Sequence, residues 1–289
     1  MILNGEKVSK IVKEEVRSEV LNILNENNKN IVCLAVILVG NNSASKIYIK
    51  NKKKACKFTK ISSIEYNLPF NTKEEDLLYL IDRLNNDKNV NGILVQLPIP
   101  SHINDNKVIS HISPLKDVDG FTPFNMGKLV ENEKTFIPCT AYGILELLKQ
   151  YNIKIDGMNC TVIGRSNIVG KPIAQLLLNE NATVSICHSH TKDLALFTKC
   201  ADIIICSVGK AKFLTKDYVK KGATVIDVGI NRDDEGKLTG DVNFDEVKEI
   251  AKYITPVPGG VGPMTVSMLM KNVLLAYKNQ RGYYDMQEL

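Results

Sequence analysis

The chain alternates apolar runs with segments whose apolar residues recur at helical spacing, and it does so in two successive sets. The first set holds three predicted strands and three predicted helices: strands at Ile31–Val39, Ile61–Leu68 and Gly92–Leu97, and helices at Lys7–Asn25, Ser43–Phe58 and Lys73–Asn86. Continuous apolar runs are typical of parallel strands that helices cover on both faces. The first part of the chain is therefore predicted to form an α/β domain.

The second set holds four predicted strands, at Thr161–Ile163, Ala182–Ile186, Asp202–Ser207 and Thr224–Val228. Predicted helices precede and follow the set, at Thr140–Tyr151 and Met264–Lys278. We expect two α/β domains joined by long helices with a cleft between them, the second built on a Rossmann-like parallel sheet. The expected bounds are 1–139, completed by a C-terminal helix at 270–289, and 140–269.

Length and composition agree with this picture, because 289 residues correspond to roughly two domains of about 150 residues each. The chain is 44% hydrophobic and 24% charged, which is ordinary for a globular protein. No apolar run approaches the roughly 20 residues of a membrane span, and the first residues do not resemble a secretory signal. We therefore expect a cytoplasmic protein with no membrane partner.

The formal net charge of +5 raises the question of nucleic acid, and the run from Lys50 to Lys57 is where such binding would occur. A charged run on a helix is usually a solvated face, and no aromatic-rich nucleic-acid motif accompanies this one. We expect no nucleic-acid partner; the run can instead steer a polyanionic small substrate. The seven cysteines are scattered without a CxxC pair, which favours reduced thiols over disulfides or a metal site.

The segment CTVIGRSNIVGKP, from Cys160 to Pro172, combines an apolar strand, a glycine turn and a helix start. The first amides of a helix beginning near Ile168 are expected to point outward unpaired, where phosphate oxygens bind. Gly164 allows the tight turn, Arg165 and Ser166 add a cation and a hydroxyl, and Gly170 lets helix and strand pack closely. The spacing departs from G-x-G-x-x-G, so a plain strand-to-helix turn remains an alternative.

The next strand ends where a ribose-reading residue belongs in such domains, roughly 20 residues after the glycine turn. An acid there favours NAD, but the chain continues with His188, Ser189 and His190 instead. With no carboxylate to repel a 2′-phosphate and Arg165 nearby to attract one, NADP is the predicted cofactor. The two histidines are equally explained as polar loop residues.

The first domain carries a separate polar constellation. Tyr48 and Lys52 are four residues apart and so share one helix face, where a ring and an amine project together. Gln96 interrupts the run ILVQLPIP at the carboxyl end of a buried strand, which is the end where open α/β sheets bind ligands. Asp119, in KDVDGF, is a candidate acceptor for a heterocycle. Each feature has a plain alternative: a surface helix, an amide bonded to backbone, and a common Asp-Gly turn.

A rigid turn, PVPGGVGPMT (Pro256 to Thr265), leads into the last predicted helix. Its prolines fix the path, and its glycines are expected to let a ligand approach the backbone at the border of the interdomain cleft. A helix-start turn without a ligand is the alternative.

Taken in order, the strings YIKNKKKAC, QLPIP, KDVDGF, PCT, GRSNIVGKP, CHSHT, VIDVGINR, GDVNF and PVPGGVGPMT resemble the methylenetetrahydrofolate dehydrogenase/cyclohydrolase (FolD) family over nearly the whole chain. The resemblance implies a cytoplasmic homodimer that binds a folate between a catalytic domain and an NADP-binding domain. It implies that methylenetetrahydrofolate gives a hydride to NADP, and that water then opens the methenyl product to the formyl derivative.

The resemblance also assigns roles to residues. It implies that Lys52 is the acid/base group, that Gln96 bonds and orients it, that Tyr48 stacks on the folate, and that Asp119 holds the pterin ring. The implied cofactor-binding residues are Gly164, Arg165, Ser166, Ser189 and Ile230. No metal is implied.

Some features depart from the family pattern or fit other classes. Ala141 replaces a helix-opening proline that the family commonly has after PCT, which bears on the local entry angle. Tyr48 and Lys52 also spell the YxxxK signature of short-chain dehydrogenases, but there the glycine turn precedes that signature, and here it follows. A single-activity member of the same family and a non-catalytic folate or nucleotide sensor remain alternatives.

Overall fold

The computed structural model describes residues 1–26, 31–233 and 235–282, with the side chains of residues 43–45 outside the description. The chain divides into two compact units. We call Ile11–Cys139 with the segment from Val266 onward the first unit, and Met1–Lys10 with Thr140–Thr265 the second unit. Across the described residues, no helix has both the length and the apolar composition that crossing a lipid bilayer requires.

The first unit is built on a parallel sheet of three strands in the order β2-β1-β3. Its elements are β1 (Cys33–Val39), α2 (Ser43–Thr59), β2 (Ser62–Leu68), α3 (Glu74–Asn86), β3 (Gly92–Val95), α4 (Asp105–His111) and α5 (Pro123–Val130). All seven residues of β1 are buried, as expected for a central strand with helices on both faces. One side of the sheet packs Ile37 and Ile93 against Leu77 and Ile81 of α3.

The second unit is built on a parallel sheet of five strands in the order β10-β7-β6-β4-β5. Its elements are α6 (Cys139–Gln150), β4 (Asn159–Ile163), α7 (Gly170–Asn179), β5 (Thr183–Cys187), α8 (Leu194–Thr198), β6 (Ile203–Cys206), β7 (Thr224–Asp227), the antiparallel pair β8 (Asn231–Arg232) and β9 (Leu238–Thr239), α9 (Phe244–Val247) and β10 (Tyr253–Ile254). This is the Rossmann-like sheet that the apolar pattern predicts, with a fifth strand that the pattern missed.

The chain passes between the units at three points, one at the start of α6 and one in each of two long helices. The two long helices are α1 (Gly5–Glu26) and α10 (Val261–Gln280). The predicted bounds of the seven strands and of the helices that precede α6 differ from the observed bounds by two residues at most, and α10 begins three residues earlier than predicted. Helix α6 begins at Cys139 with a buried Ala141, so the helix start forms with alanine at this position.

The amino terminus departs from the predicted division, since residues 1–10 belong to the second unit rather than to the first. Ile2 forms a parallel bridge to Ile254, and the Leu3 N–H donates to the Ile254 carbonyl at 2.8 Å. These backbone bonds tie the first residues to the edge strand β10, which the sequence pattern did not reveal. At the other end, the part of the predicted 270–289 helix from residue 283 on lies outside the described residues.

Candidate active site and cofactor site

Three segments of the first unit carry the candidate residues Lys52, Gln96 and Asp119. Lys52 is on α2, which follows the central strand β1, and Gln96 directly follows β3. Asp117 forms a parallel bridge to Ile93, which places the KDVDGF segment along the outer edge of β3. Gly92 permits this approach, because a Cβ there would lie 2.6 Å from Val118 Cγ1. Sheet pairing therefore supplies the arrangement of these segments.

Lys52 and Gln96 contact each other directly. Lys52 Nζ donates to Gln96 Oε1 at 3.0 Å, as the family resemblance implies. Gln96 Nε2 donates to the Leu97 carbonyl at 2.7 Å, which fixes the orientation of the amide. Both side chains are half-buried. The Lys52 amine is therefore fixed beside the carboxyl end of the sheet.

Asp119 lies in a turn that a neighbouring acid organises. Asp117 is buried and accepts hydrogen bonds from the backbone N–H groups of Gly120, Phe121 and Thr122 at 2.8–3.2 Å. It also accepts from Asn125 Nδ2 at 2.8 Å. Asp117 is not among the residues predicted from the sequence; its position three residues before Gly120, typical of an Asx-turn, was the available signal.

The electrostatic environment of Asp119 is unusual for a carboxyl group. Burial raises the pKa of Asp119 to about 6, the charge of Lys52 acts in the opposite direction, and Asp117 raises the pKa further. The side chain keeps partial solvent access. A carboxyl group in this range exchanges its proton near neutral pH, so it is suited to hydrogen-bond a heterocycle either as a donor or as an acceptor.

Tyr48 leaves its ring available to a ligand. The residue is 38% exposed although it lies on the same helix as the half-buried Lys52. Partial burial raises the pKa of its phenol, so the hydroxyl stays protonated at neutral pH. The basic run on this helix is a largely exposed surface, where Lys53 Nζ pairs with Glu65 at 2.9 Å.

In the second unit, the glycine turn after β4 is as closely packed as predicted. Gly164 has φ +125°, and a Cβ there would lie 2.3 Å from the Ser207 carbonyl oxygen. A Cβ on Gly170 would lie 2.3 Å from the Gly164 carbonyl oxygen. The prediction that Gly170 allows close packing of helix and strand is therefore confirmed.

The helix after this turn begins at Gly170 rather than near Ile168, and Ser166 bonds the backbone at its start. Ser166 Oγ accepts from the backbone N–H of Val169 at 3.2 Å and of Gly170 at 3.3 Å. The expectation that the first helical amides are unpaired is wrong for these two groups. The Ser166 oxygen is already the acceptor for these two amides, so the groups left for a phosphate contact are the Ser166 O–H, the turn itself and the exposed Arg165.

Ser189 lies in the neighbouring turn, because β5 pairs in register with β4 and the Gly164 N–H donates to the Cys187 carbonyl at 2.8 Å. The His188 N–H donates to Thr191 Oγ1 at 2.8 Å, and His188 Nδ1 accepts from the His190 N–H at 3.2 Å. Ser189 is exposed between them, and no carboxylate is present in this turn. An exposed cation, a hydroxyl and a glycine cradle fit the 2′-phosphate and ribose of NADP.

Ile230 belongs to the loop that follows β7, and its side chain is 51% exposed. It lies at the carboxyl ends of the strands, as do Gly164 and Ser189. The PVPGGVGPMT turn also packs against the amino-terminal segment. The Gly5 and Glu6 N–H groups donate to the Gly259 carbonyl, and a Cβ on Gly5 would lie 1.8 Å from the Gly260 carbonyl oxygen. Close approach there is between two backbone segments of the second unit.

Comparison with known proteins agrees with this geometry. Residues 3–119 match the catalytic domain of tetrahydrofolate dehydrogenase/cyclohydrolase, and residues 138–281 match its NAD(P)-binding domain. The chain belongs to the tetrahydrofolate dehydrogenase/cyclohydrolase family. It is 54% identical over 277 residues to the bifunctional protein FolD of Agathobacter rectalis, a match that covers 96% of this chain and 99% of that protein.

Solved structures of family members have the same fold. The bifunctional FolD methylenetetrahydrofolate dehydrogenase/cyclohydrolase of Campylobacter jejuni is 48% identical and has a TM-score of 0.95, with 96% of this chain and 99% of that chain covered. The Trypanosoma brucei enzyme, solved with NADP cofactor and an inhibitor, is 37% identical and has a TM-score of 0.92, with 96% and 97% covered. Both family domains are thus present in this one chain.

Proposed function

We propose that this chain is a bifunctional enzyme of one-carbon folate metabolism. It oxidises 5,10-methylenetetrahydrofolate to 5,10-methenyltetrahydrofolate with NADP, and it then hydrolyses that product to 10-formyltetrahydrofolate. The observation that carries the proposal is the hydrogen bond from Lys52 to Gln96 within the part of the chain that matches the family's catalytic domain. The NAD(P)-binding match in the same chain supplies the second requirement.

NADP, when bound, accepts the hydride that leaves the methylene carbon. The residues that would hold it are Gly164, Arg165, Ser166, Ser189 and Ile230. Arg165 provides the fixed positive charge for the 2′-phosphate, since arginine binds phosphate through charge-assisted hydrogen bonds. The glycine cradle allows the backbone to approach the ligand closely.

The folate is held by residues of the first unit. Tyr48 presents its exposed ring to a flat heterocycle, and Asp119 hydrogen-bonds the pterin. As the hydride leaves, the lone pair of a folate nitrogen stabilises the iminium cation that forms. The protein therefore contributes mainly by aligning the folate. Positioning of this kind supplies a large part of the rate enhancement in such reactions.

Hydrolysis of the methenyl group needs proton transfer by the protein. Water adds to the electrophilic carbon as Lys52 accepts one of its protons, which leaves a neutral carbinolamine. The hydroxyl then gives up its remaining proton as the carbonyl forms, one C–N bond breaks, and the departing nitrogen takes up a proton. Gln96 keeps the Lys52 amine in place through its oxygen. General acid–base catalysis of this kind contributes about 100- to 10,000-fold.

A homodimeric state, a cytoplasmic location and a supply of one-carbon units to purine, methionine and histidine synthesis are further parts of the proposal. Family membership supports them. Light scattering of the purified protein tests the dimer, for which a mass near twice 32.2 kDa is expected.

The central test is to incubate the purified protein with methylenetetrahydrofolate and either NADP or NAD, and to follow methenyl formation and decay by absorbance. We expect formation with NADP followed by decay to the formyl product. A strong preference for NAD contradicts the roles of Arg165 and Ser189. Tight, salt-sensitive RNA binding without turnover contradicts the enzyme assignment as a whole.

A further inference from the structure

Two buried carboxylates in the second unit lie where β6 and β7 end, and the proposed reaction gives them no task. Asp227 is the last residue of β7, and Asp241 follows the β8–β9 pair. Their exposed fractions are 3% and 0%. Burying two acids in one region is costly unless their hydrogen-bonding capacity is used.

Asp227 joins two segments through backbone N–H groups. Its Oδ1 accepts from Gly229 and from Asp241 at 2.9 Å each, and its Oδ2 accepts from Val242 at 2.9 Å. Gly240 permits this approach, because a Cβ there would lie 1.8 Å from Asp227 Oδ2. The loop after β7 and the segment after β9 are therefore held by one side chain.

Asp241 joins a third segment to the same point. Its Oδ2 accepts from the N–H groups of Val208 at 2.6 Å and Gly209 at 2.9 Å. Its Oδ1 accepts from the Lys210 N–H at 2.9 Å and from Asn231 Nδ2 at 2.8 Å. The turn after β6 is thus fixed to the loop after β7.

The residue between the two anchored positions is Ile230. Its neighbour Gly229 is held by Asp227, and its neighbour Asn231 is held by Asp241. Gly229 has to be glycine here, because a Cβ would lie 2.3 Å from Asp241 Oδ1. Ile230 therefore lies between a bound backbone N–H on Gly229 and a bound side chain on Asn231, while its own side chain stays 51% exposed.

We propose that Asp227 and Asp241 are positioning residues that hold the Ile230 loop and the 208–210 turn in the conformation that binds the dinucleotide. The inference rests on the proposed function, in which Ile230 contacts NADP at the carboxyl ends of the strands. Neither carboxylate contacts the cofactor. They act through the backbone groups that they hold, so their loss affects cofactor affinity before it affects chemistry on the folate.

The test is Asp241→Asn, with binding of NADPH measured by fluorescence titration and KM for NADP measured in the dehydrogenase assay. Each oxygen of Asp241 accepts from two N–H groups. In either orientation, the side-chain NH₂ of an asparagine would therefore face two donors and lose both of their hydrogen bonds. Because hydrogen bonds to a charged acceptor are strong, we expect the Kd for NADPH and the KM for NADP each to rise about 10- to 100-fold. Hydrolysis of methenyltetrahydrofolate without added cofactor should stay within about twofold of wild type.

Asp245→Asn is the matched control, because Asp245 is an acid four residues away with an 85% exposed side chain. Its NADPH affinity should equal that of wild type. Asn231→Ala is the second variant if Asp241→Asn does not fold, since it removes the bond of 2.8 Å to Asp241 and leaves the three backbone donors of Asp241 in place. We expect it to weaken NADPH binding about 3- to 10-fold.

Two results overturn the inference: wild-type NADPH affinity in folded Asp241→Asn or Asn231→Ala, or equal loss of both activities together with a lowered melting temperature. Failure of the proposed function looks different, because wild type itself then fails to oxidise methylenetetrahydrofolate while its NADPH titration still reports on the loop.

Discussion

Gln96 presents its amide oxygen to Lys52 because its amide nitrogen is committed to the Leu97 carbonyl. The two bonds measure 3.0 and 2.7 Å. An amide with both ends engaged has one orientation, so the lysine meets an acceptor on that side rather than a competing donor. The remaining N–H positions of the amine can therefore point toward a substrate.

Replacing the amine is the most direct check of its role. Lys52→Met keeps the length of the side chain and removes proton transfer, so we expect cyclohydrolase activity on methenyltetrahydrofolate to fall by about 100-fold or more. NADPH affinity should not change. Lys54→Met is the matched control, since Lys54 is an exposed lysine on the same helix. Near-normal hydrolysis by Lys52→Met removes the lysine from the mechanism.

Gln96→Met separates orientation from chemistry. The thioether fills a similar volume but accepts hydrogen bonds weakly, so the amine loses its fixed partner. Loss of a hydrogen bond to a charged donor predicts a fall in cyclohydrolase kcat of about 10- to 100-fold, smaller than that of Lys52→Met. Rates are compared at saturating methenyltetrahydrofolate. A loss as large as that of the lysine variant contradicts a purely orienting role.

The raised pKa of Asp119 predicts how the free energy of unfolding depends on pH. Below about pH 4, the carboxyl group is protonated in both folded and unfolded chains. Between about pH 4 and 6, the unfolded chain ionises while the folded chain keeps its proton, so the free energy of unfolding falls as pH rises. Above about pH 6 the carboxyl group is ionised in both chains, and the full free-energy cost of burying its charge lowers the stability.

Asp119→Asn removes that cost, so we expect this variant to be more stable than wild type by about 1–3 kcal/mol at pH 8, with a smaller difference at pH 5. Urea unfolding at both pH values measures the difference. Glu131→Gln, at an exposed carboxylate of the same unit, should change stability by less than about 0.5 kcal/mol. An Asp119→Asn variant less stable than wild type at pH 8 contradicts the burial cost.

The sequence predicted the two parallel sheets well, but it did not predict the buried polar side chains that hold the loops, and the reason is physical. Buried strands such as Cys33–Val39 are apolar throughout, so they are visible in the sequence as continuous apolar runs. Asp117, Asp227 and Asp241 act on backbone groups that are nearby only after folding, and a single acid in a loop has no period. The two bonds that Ser166 accepts from Val169 and Gly170 are local, but nothing in the string GRSNIVGKP shows that the serine also binds backbone amides.

The proposed role of Arg165 is to select NADP over NAD. Arg165→Gln removes the only positive charge in the 164–170 turn while keeping a polar side chain. We expect KM for NADP to rise about 10- to 100-fold and KM for NAD to change by less than threefold. Lys171→Gln, at an exposed lysine that donates to Asn167 at 2.7 Å, is the control. Parallel changes for both cofactors indicate that the arginine does not read the 2′-phosphate.

A pair of glycine-to-alanine substitutions tests whether the turn from Gly164 to Gly170 depends on close packing against α7 or on the backbone flexibility of glycine. Gly170 and Gly127 both lie in helices, but a Cβ on Gly170 meets the Gly164 carbonyl oxygen at 2.3 Å, whereas a Cβ on Gly127 meets nothing within 4 Å. Gly127→Ala should raise the free energy of unfolding by about 0.5–1 kcal/mol, because alanine loses less backbone entropy in a helix.

Gly170→Ala cannot gain in the same way, because the added methyl forces α7 away from the Gly164 turn. We expect it to lower the free energy of unfolding by about 1–3 kcal/mol and to weaken NADPH binding at least tenfold. Urea unfolding and fluorescence titration measure the two effects on the same samples. If Gly170→Ala gains stability as Gly127→Ala does and still binds NADPH, the glycine serves backbone freedom alone, and the packing of α7 on the turn does not position the cofactor.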